Sequence, residues 1–243
     1  MSVQRLAELR RQHRRLMDVL FFVSLKHRYL YAQAPKVASS TLNRRLIALE
    51  LQGSGISYDE TALHLAPYRS VHVRVFQMPK PMLVKCFFGP GTFRFCFVRD
   101  PYARVLSAYL DKVGYKQDPA AAVFDHFGRD RTAPDTSVSF AEFVAFLEAQ
   151  RGQIGAWNIH WRPLARLLRP DLIPYDLIGR LENFEADFAA VSARIGQTPA
   201  GDAVAAPHQT GAAERIGDFY TPDLRARVAA LYAEDFATFG YPV

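Results

Sequence analysis

The sequence predicts an α/β protein of three layers, a central and mostly parallel sheet flanked by helices on both faces. Apolar runs of strand length alternate along the chain with segments of helical period, the pattern of such sheets. Two strands, at 29–34 and 93–98, run directly into polar turns that open helices. The 243 residues are 49% hydrophobic and 22% charged, an ordinary globular composition. That is enough chain for a single domain over 1–243, with a helical N-terminal extension at 1–28.

The elements follow in order. Residues 4–27 read as helix, with Leu6, Leu9, Leu16, Val19 and Leu20 at rough helical spacing. After the first strand and a loop at 35–39, a helix over 40–51 puts Leu42, Leu46 and Leu49 on one face and stops at Gly53. Residues 53–69 are mixed. Over 71–76, Val71, Val73 and Val75 alternate with His72, Arg74 and Phe76, as in a half-buried strand. Residues 82–88 are a further strand-like apolar run, closed by Gly89-Pro90-Gly91.

Past the strand at 93–98, Asp100 caps a helix with Pro101 in its first turn. Its apolar stripe is Tyr102, Val105, Leu106, Tyr109, Leu110 and Val113; Arg104, Ser107 and Asp111 share another face. Residues 114–139, rich in Asp, Pro and charge, read as a long loop of the kind used as a lid or binding segment. Helices at 140–149 and 164–168, a strand at 175–178 and a helix at 183–195 follow. After a loop at 197–218, Thr221 caps a last helix from Pro222.

The net charge of +6 favours anionic ligands. Arg and His residues crowd the first fifteen positions, the pattern of a solvated helix face, and no aromatic-basic recognition motif for nucleic acid occurs. Cys86 and Cys96 sit in apolar runs and form no disulfide framework, which fits a reducing compartment. The apolar segment 16–25 is too short to span a bilayer, carries Asp18 and lacks a cleavage site. The expectation is a cytoplasmic protein without stable membrane insertion.

The chemistry lies at the two strand-to-helix turns. The first is Pro35-Lys36-Val37-Ala38-Ser39-Ser40-Thr41; the second runs from Phe97-Val98-Arg99-Asp100-Pro101 through Arg104 and Ser107 to Tyr109. Helix starts offer unpaired N–H groups and the positive end of a dipole. Two such turns at strand carboxyl ends suit one crevice and a ligand with two separate anionic groups. The first turn has the position and logic of a phosphate-binding P-loop without its glycines, which argues against a nucleoside-triphosphate kinase. A non-catalytic binder of the same ligand is the other alternative.

Together these stretches resemble the carbohydrate sulfotransferase family, the Golgi-type branch and its bacterial relatives. Pro35 to Thr41 is similar to the family's first motif, and Phe97 to Tyr109 to its second, Phe-Val-Arg-Asp/Glu-Pro-x-x-Arg-x-x-Ser-Ala-Tyr. His160-Trp161-Arg162-Pro163, the stretch Ile173 to Glu182 and the ending Tyr220 to Tyr241 also resemble it, so the likeness covers roughly residues 29–241. The resemblance implies a P-loop-like fold and transfer of a sulfuryl group from 3′-phosphoadenosine 5′-phosphosulfate (PAPS), without a metal, to a hydroxyl of a carbohydrate or other acceptor. Pro35, Lys36, Val37, Ala38, Ser39, Ser40 and Thr41 would wrap the phosphosulfate, with Lys36 neutralising charge on the bridging oxygen. Arg99 and Ser107 would bind the 3′-phosphate.

The acceptor hydroxyl needs a general base. His64, in a loop-like stretch, is the preferred candidate; His72, on the alternating strand, is the second; a carboxylate or His160 is the remainder. His160, Trp161 and Arg162 would line the acceptor side, with the indole as a flat face for a sugar ring. A core tryptophan with solvated neighbours has the same sequence signature. Arg104 reads as structural, paired with a carboxylate.

Overall fold

The computed structural model describes residues 2–13, 16–56, 71–196 and 211–243. These fall into two compact units, residues 1–98 with 168–207 and residues 99–167 with 208–243. The helices are α1 (Ser2–His13), α2 (Met17–Leu20), α3 (Ser39–Leu51), α4 (Lys80–Phe88), α5 (Pro101–Ala108), α6 (Ala121–His126), α7 (Phe140–Ala149), α8 (Leu164–Leu168), α9 (Phe184–Arg194), α10 (Ile216–Phe219), α11 (Pro222–Leu231) and α12 (Ala233–Phe239). The strands are β1 (Phe21–Ser24), β2 (Tyr29–Ala32), β3 (Val73–Arg74), β4 (Phe93–Val98) and β5 (Leu177–Arg180).

The whole sheet belongs to the first unit, in the order β3-β1-β2-β4-β5. β2 pairs in parallel with β4, and β4 with β5, while β1 runs antiparallel to β2 and β3. Four of the five strands therefore point the same way, the mostly parallel sheet that the sequence predicts. Phe22, Tyr31 and Phe95 are register partners on one face, and Tyr31 stacks on Phe95 with centroids 5.1 Å apart. α9 covers that face, with Phe184 5.5 Å from Phe97. On the other face Phe21 meets Phe87 of α4 edge-on at 5.0 Å. These ring contacts make the three layers, each adding about 0.5–1.5 kcal/mol beyond area burial. Gly179, opposite Phe97, has no alternative: a Cβ there would stand 2.6 Å from the Phe97 ring.

Several elements differ from expectation. The helix over 4–27 is instead α1, one turn of α2 and the strand β1. The run Phe21-Phe22-Val23 is buried on both faces, and a short aromatic and β-branched run of that kind suits a central strand. The strand-like run at 82–88 is the helix α4, started by Pro79 at its cap and Pro81 in its first turn. Only Leu83, Cys86 and Phe87 are buried there, a helical stripe. β3 is cut to two residues by a 3₁₀ turn at Val75–Gln77. β5 starts two residues later than predicted because buried Arg94 takes the preceding stretch: its guanidinium donates to the Pro174 carbonyl and pairs with Asp176 at 3.2 Å.

The described part of the second unit is helical. α7 and α8 match expectation, and Thr221 caps α11 by accepting from Leu224 N–H. α5 runs on into a π-helical segment, Tyr109–Gly114. The stretch read as a long loop at 114–139 contains a 3₁₀ turn and α6. Among the described residues no helix is long and apolar enough to cross a membrane.

Candidate functional site

In the first unit the chain leaves β2, turns through Pro35 to Ala38 and enters α3. Lys36 (φ +69°) and Ala38 (φ +58°) both adopt left-handed backbone without being glycine. Each such residue costs about 1–2 kcal/mol, and strain of this kind collects at ligand clamps. Turns of this type gather backbone N–H groups into anion-binding concavities. Ala34 and Val37 are fully buried and anchor the turn in the core. Val37 therefore offers a ligand its backbone rather than its side chain.

Ala38 occupies the cap position of α3 and supplies no side-chain cap. Ser39 and Lys36 are half-buried and Ser40 is exposed. Thr41 is buried, and its hydroxyl has no partner among the described residues. A buried hydroxyl without a partner costs about 1–3 kcal/mol. At the first turn of a 13-residue helix it suits an anionic oxygen. β4 lies parallel and adjacent to β2 within this unit, so the carboxyl ends of the two strands are neighbours.

In the second unit, half-buried Arg99 leads into α5. Asp100 caps α5 by accepting from Ala103 N–H at 2.9 Å, with Pro101 next, as the sequence predicts. All of α5 is buried, including Ser107. Arg104 is almost fully buried, and its guanidinium donates to the carbonyls of Arg162 (2.9 Å) and Ile159 (3.2 Å). Burial lowers its pKa, and the charge of buried Asp235 counters that effect. Asp235 accepts from Leu164 and Ala165 N–H at 2.8 Å each, capping α8 from α12. Burial pushes its carboxyl up to about 6, against the pull of Arg104. Arg104 thus reads as structural, with its guanidinium on two backbone carbonyls and the charge of Asp235 acting on it.

The candidate bases separate. His64 lies outside the described residues. His72 is buried, and its Nε2 lies 2.6 Å from the Tyr29 hydroxyl. Burial, then the charges of Arg74 and His27, drive its pKa down to about 3. A ring held neutral in the core is within reach of Tyr29 and out of reach of an incoming substrate. Trp161 is also buried, edge-on to Phe143 at 5.6 Å, so it has no flat face for a sugar. Arg162 spends Nε and one terminal nitrogen on the Trp157 carbonyl. Of these three, His160 is the one left partly exposed. Sequence reading missed Asn158, whose side-chain oxygen lies 2.7 Å from His160 Nδ1; an Asn two residues before its partner is a recognisable turn signal. Among the described residues no group of three or more His, Cys, Asp and Glu side chains is arranged to hold a metal.

Comparison with known proteins agrees with the motifs. The profile of the Sulfotransferase family matches residues 19–242. The chain is 29% identical to carbohydrate sulfotransferase 14 of Danio rerio over 91% of its own length and 62% of that protein's. It is 26% identical to carbohydrate sulfotransferase 12 of Xenopus laevis, covering 89% and 59%. It is 28% identical to carbohydrate sulfotransferase 10 of Danio rerio, covering 91% and 66%. The chain thus spans roughly three-fifths of the length of these curated relatives. No solved structure matches it.

Proposed function

The chain belongs to the sulfotransferase family, and on that premise we propose that it transfers a sulfuryl group from PAPS to a hydroxyl of a carbohydrate. The observation that carries this reading is the turn from Pro35 to Thr41: two left-handed non-glycine residues, an uncapped helix start and a buried hydroxyl without a described partner. These residues fit a phosphate or sulfate group. The relatives' names supply the acceptor class.

The donor, when bound, supplies the sulfuryl group and departs as adenosine 3′,5′-bisphosphate. Backbone N–H groups of the turn and the hydroxyls of Ser39, Ser40 and Thr41 hold the phosphosulfate end. Lys36 neutralises the negative charge that grows on the bridging oxygen, an interaction strongest in the transition state. Arg99 grips the 3′-phosphate with its planar fork, and Ser107 adds a hydroxyl. The two free, buried cysteines support a reducing, cytoplasmic setting as part of the same proposal.

A thermal-shift comparison tests the donor assignment, because a ligand that binds only the folded state raises the melting temperature. Adenosine 3′,5′-bisphosphate should stabilise the protein more than AMP or ATP, and Arg99→Ala should abolish the preference. Equal shifts with AMP and the bisphosphate would remove the basis for a 3′-phosphate site.

A further inference from the structure

We propose that Gln33 and Asn43 are positioning residues for the donor: their side chains clip together the two ends of the turn from Pro35 to Thr41 and hold it in its anion-binding shape. The inference deepens the sulfotransferase reading above and rests on it. It stands on contacts within the first unit alone.

Asn43 Nδ2 donates to Gln33 Oε1 at 2.5 Å. The two residues are ten apart in sequence, and every residue of the turn lies between them. Gln33 is fixed to the sheet. Its N–H donates to the Leu20 carbonyl at 2.7 Å, one step past the last β1–β2 pair, Phe21 with Ala32. Asn43 is the fifth residue of α3, in its second turn. The bond therefore joins the end of β2 to α3 and closes the intervening chain into a ring.

A strained turn needs such a closure. Lys36 and Ala38 both hold positive φ, a backbone that relaxes when its ends are released. Ala38 stands at the cap position of α3 and gives it no side-chain cap. Ala34 and Val37 pin the turn to the core, and the amide pair sets the distance between its ends.

The residue types mark the pair as one kept for shape. Asn is a weak residue for a helix interior, because its amide competes for backbone groups. Here the amide nitrogen serves Gln33, while the amide oxygen is buried without a partner among the described residues. An unsatisfied buried acceptor costs at least as much as one neutral hydrogen bond returns. The pair thus adds little net stability, and apolar side chains of the same shape would serve the fold as well. Apolar side chains would not supply a directional bond of fixed length across the turn. That length matters for the reaction. The turn's N–H groups and the Lys36 ammonium act on the phosphosulfate in one geometry, and a small displacement of such groups lowers the rate steeply.

The test reads rate, stability and backbone motion on the full chain. The double variant Gln33→Met, Asn43→Leu removes both amides at nearly constant shape. Its melting temperature should stay within about 5 °C of wild type, while kcat/KM for PAPS falls about 10–100-fold. In the ligand-free protein the ¹⁵N order parameters of Lys36 to Ser40 should drop from about 0.85 to about 0.6. The exchanged pair Gln33→Asn, Asn43→Gln keeps a donor, an acceptor and the same summed length, so it should recover most of the rate and the rigid order parameters. A purely structural role would move the melting temperature and leave the order parameters of the folded protein in place. Four results overturn the inference: a double variant with wild-type kcat/KM, one whose turn is as rigid as before, one whose melting temperature falls by more than about 5 °C, or an exchanged pair as slow as the double variant. A wild-type chain that binds no adenosine 3′,5′-bisphosphate and transfers no sulfuryl group sinks the underlying reading instead. That failure is separable, because the order parameters report on the clip with no ligand present.

Discussion

Asp235 makes a stability prediction that can be worked from the structure. Its carboxyl is buried and has a folded pKa of about 6, against a reference value of 3.8. The native state therefore holds this proton more tightly than the unfolded chain does. The group's stabilising contribution is complete below the unfolded value and disappears as pH rises through about 6. Between pH 5 and pH 7 the loss is about 1 kcal/mol, or about 2–4 °C in Tm for a chain of this length. His72 acts in the opposite sense, because its folded pKa of about 3 lies below the reference 6.5 and costs stability as pH falls below 6.5. The quantity to measure is thus the Tm gap between wild type and Asp235→Asn at each pH, in which His72 cancels. Asp235→Asn should also lose a pH-independent amount, about 3 kcal/mol or more, since one N–H at the start of α8 loses its acceptor and buried Arg104 loses its counter-charge. Differential scanning fluorimetry from pH 5 to 7 should show the gap widening towards pH 5. A gap that is flat, or that narrows towards acid, would refute the assignment of a raised pKa to Asp235.

Lys36→Ala should reduce turnover far more than it weakens adenosine 3′,5′-bisphosphate binding, read as kcat against the product Kd; a proportional fall in both would make Lys36 a binding residue only. Gly179→Ala should destabilise by about 1–3 kcal/mol, because the new methyl collides with the Phe97 ring; an unchanged urea midpoint would mean that β4 and β5 shift apart freely. Tyr29→Phe should cost about 1–3 kcal/mol by removing the hydroxyl that meets His72 Nε2 in the core, and chemical denaturation would expose a smaller effect.

The sequence made two helix starts legible because local chemistry dictates them. Asp100-Pro101 and Thr221-Pro222 are cap-and-proline pairs, and both open helices at those positions. Helices at 140–149 and 164–168 fall where periodicity puts them. Errors cluster where an apolar run lacks a clear period. Phe21-Phe22-Val23 reads equally as buried helix or buried strand, and only pairing with β2 and β3 decides. Between a sugar-facing and a core indole at Trp161 the sequence leaves both readings open, because exposure depends on tertiary packing against Phe143, which no spacing encodes. The partners of Arg104 were beyond local reading too. They are backbone carbonyls more than fifty residues away, and carbonyls leave no signature in a sequence.

The turn at Lys36 and Ala38 has a consequence for how ligand affinity is tuned. A glycine-rich loop is slack until its guest arrives, and ordering it opposes association. Here branched and substituted residues are forced into the same shape while the core assembles, with Ala34 and Val37 as buried fasteners. The entropic penalty of shaping the turn falls on folding and not on association. Evolution or design that wished to loosen the grip would find its lever in those two buried side chains, which anchor the turn in the core and do not face the guest.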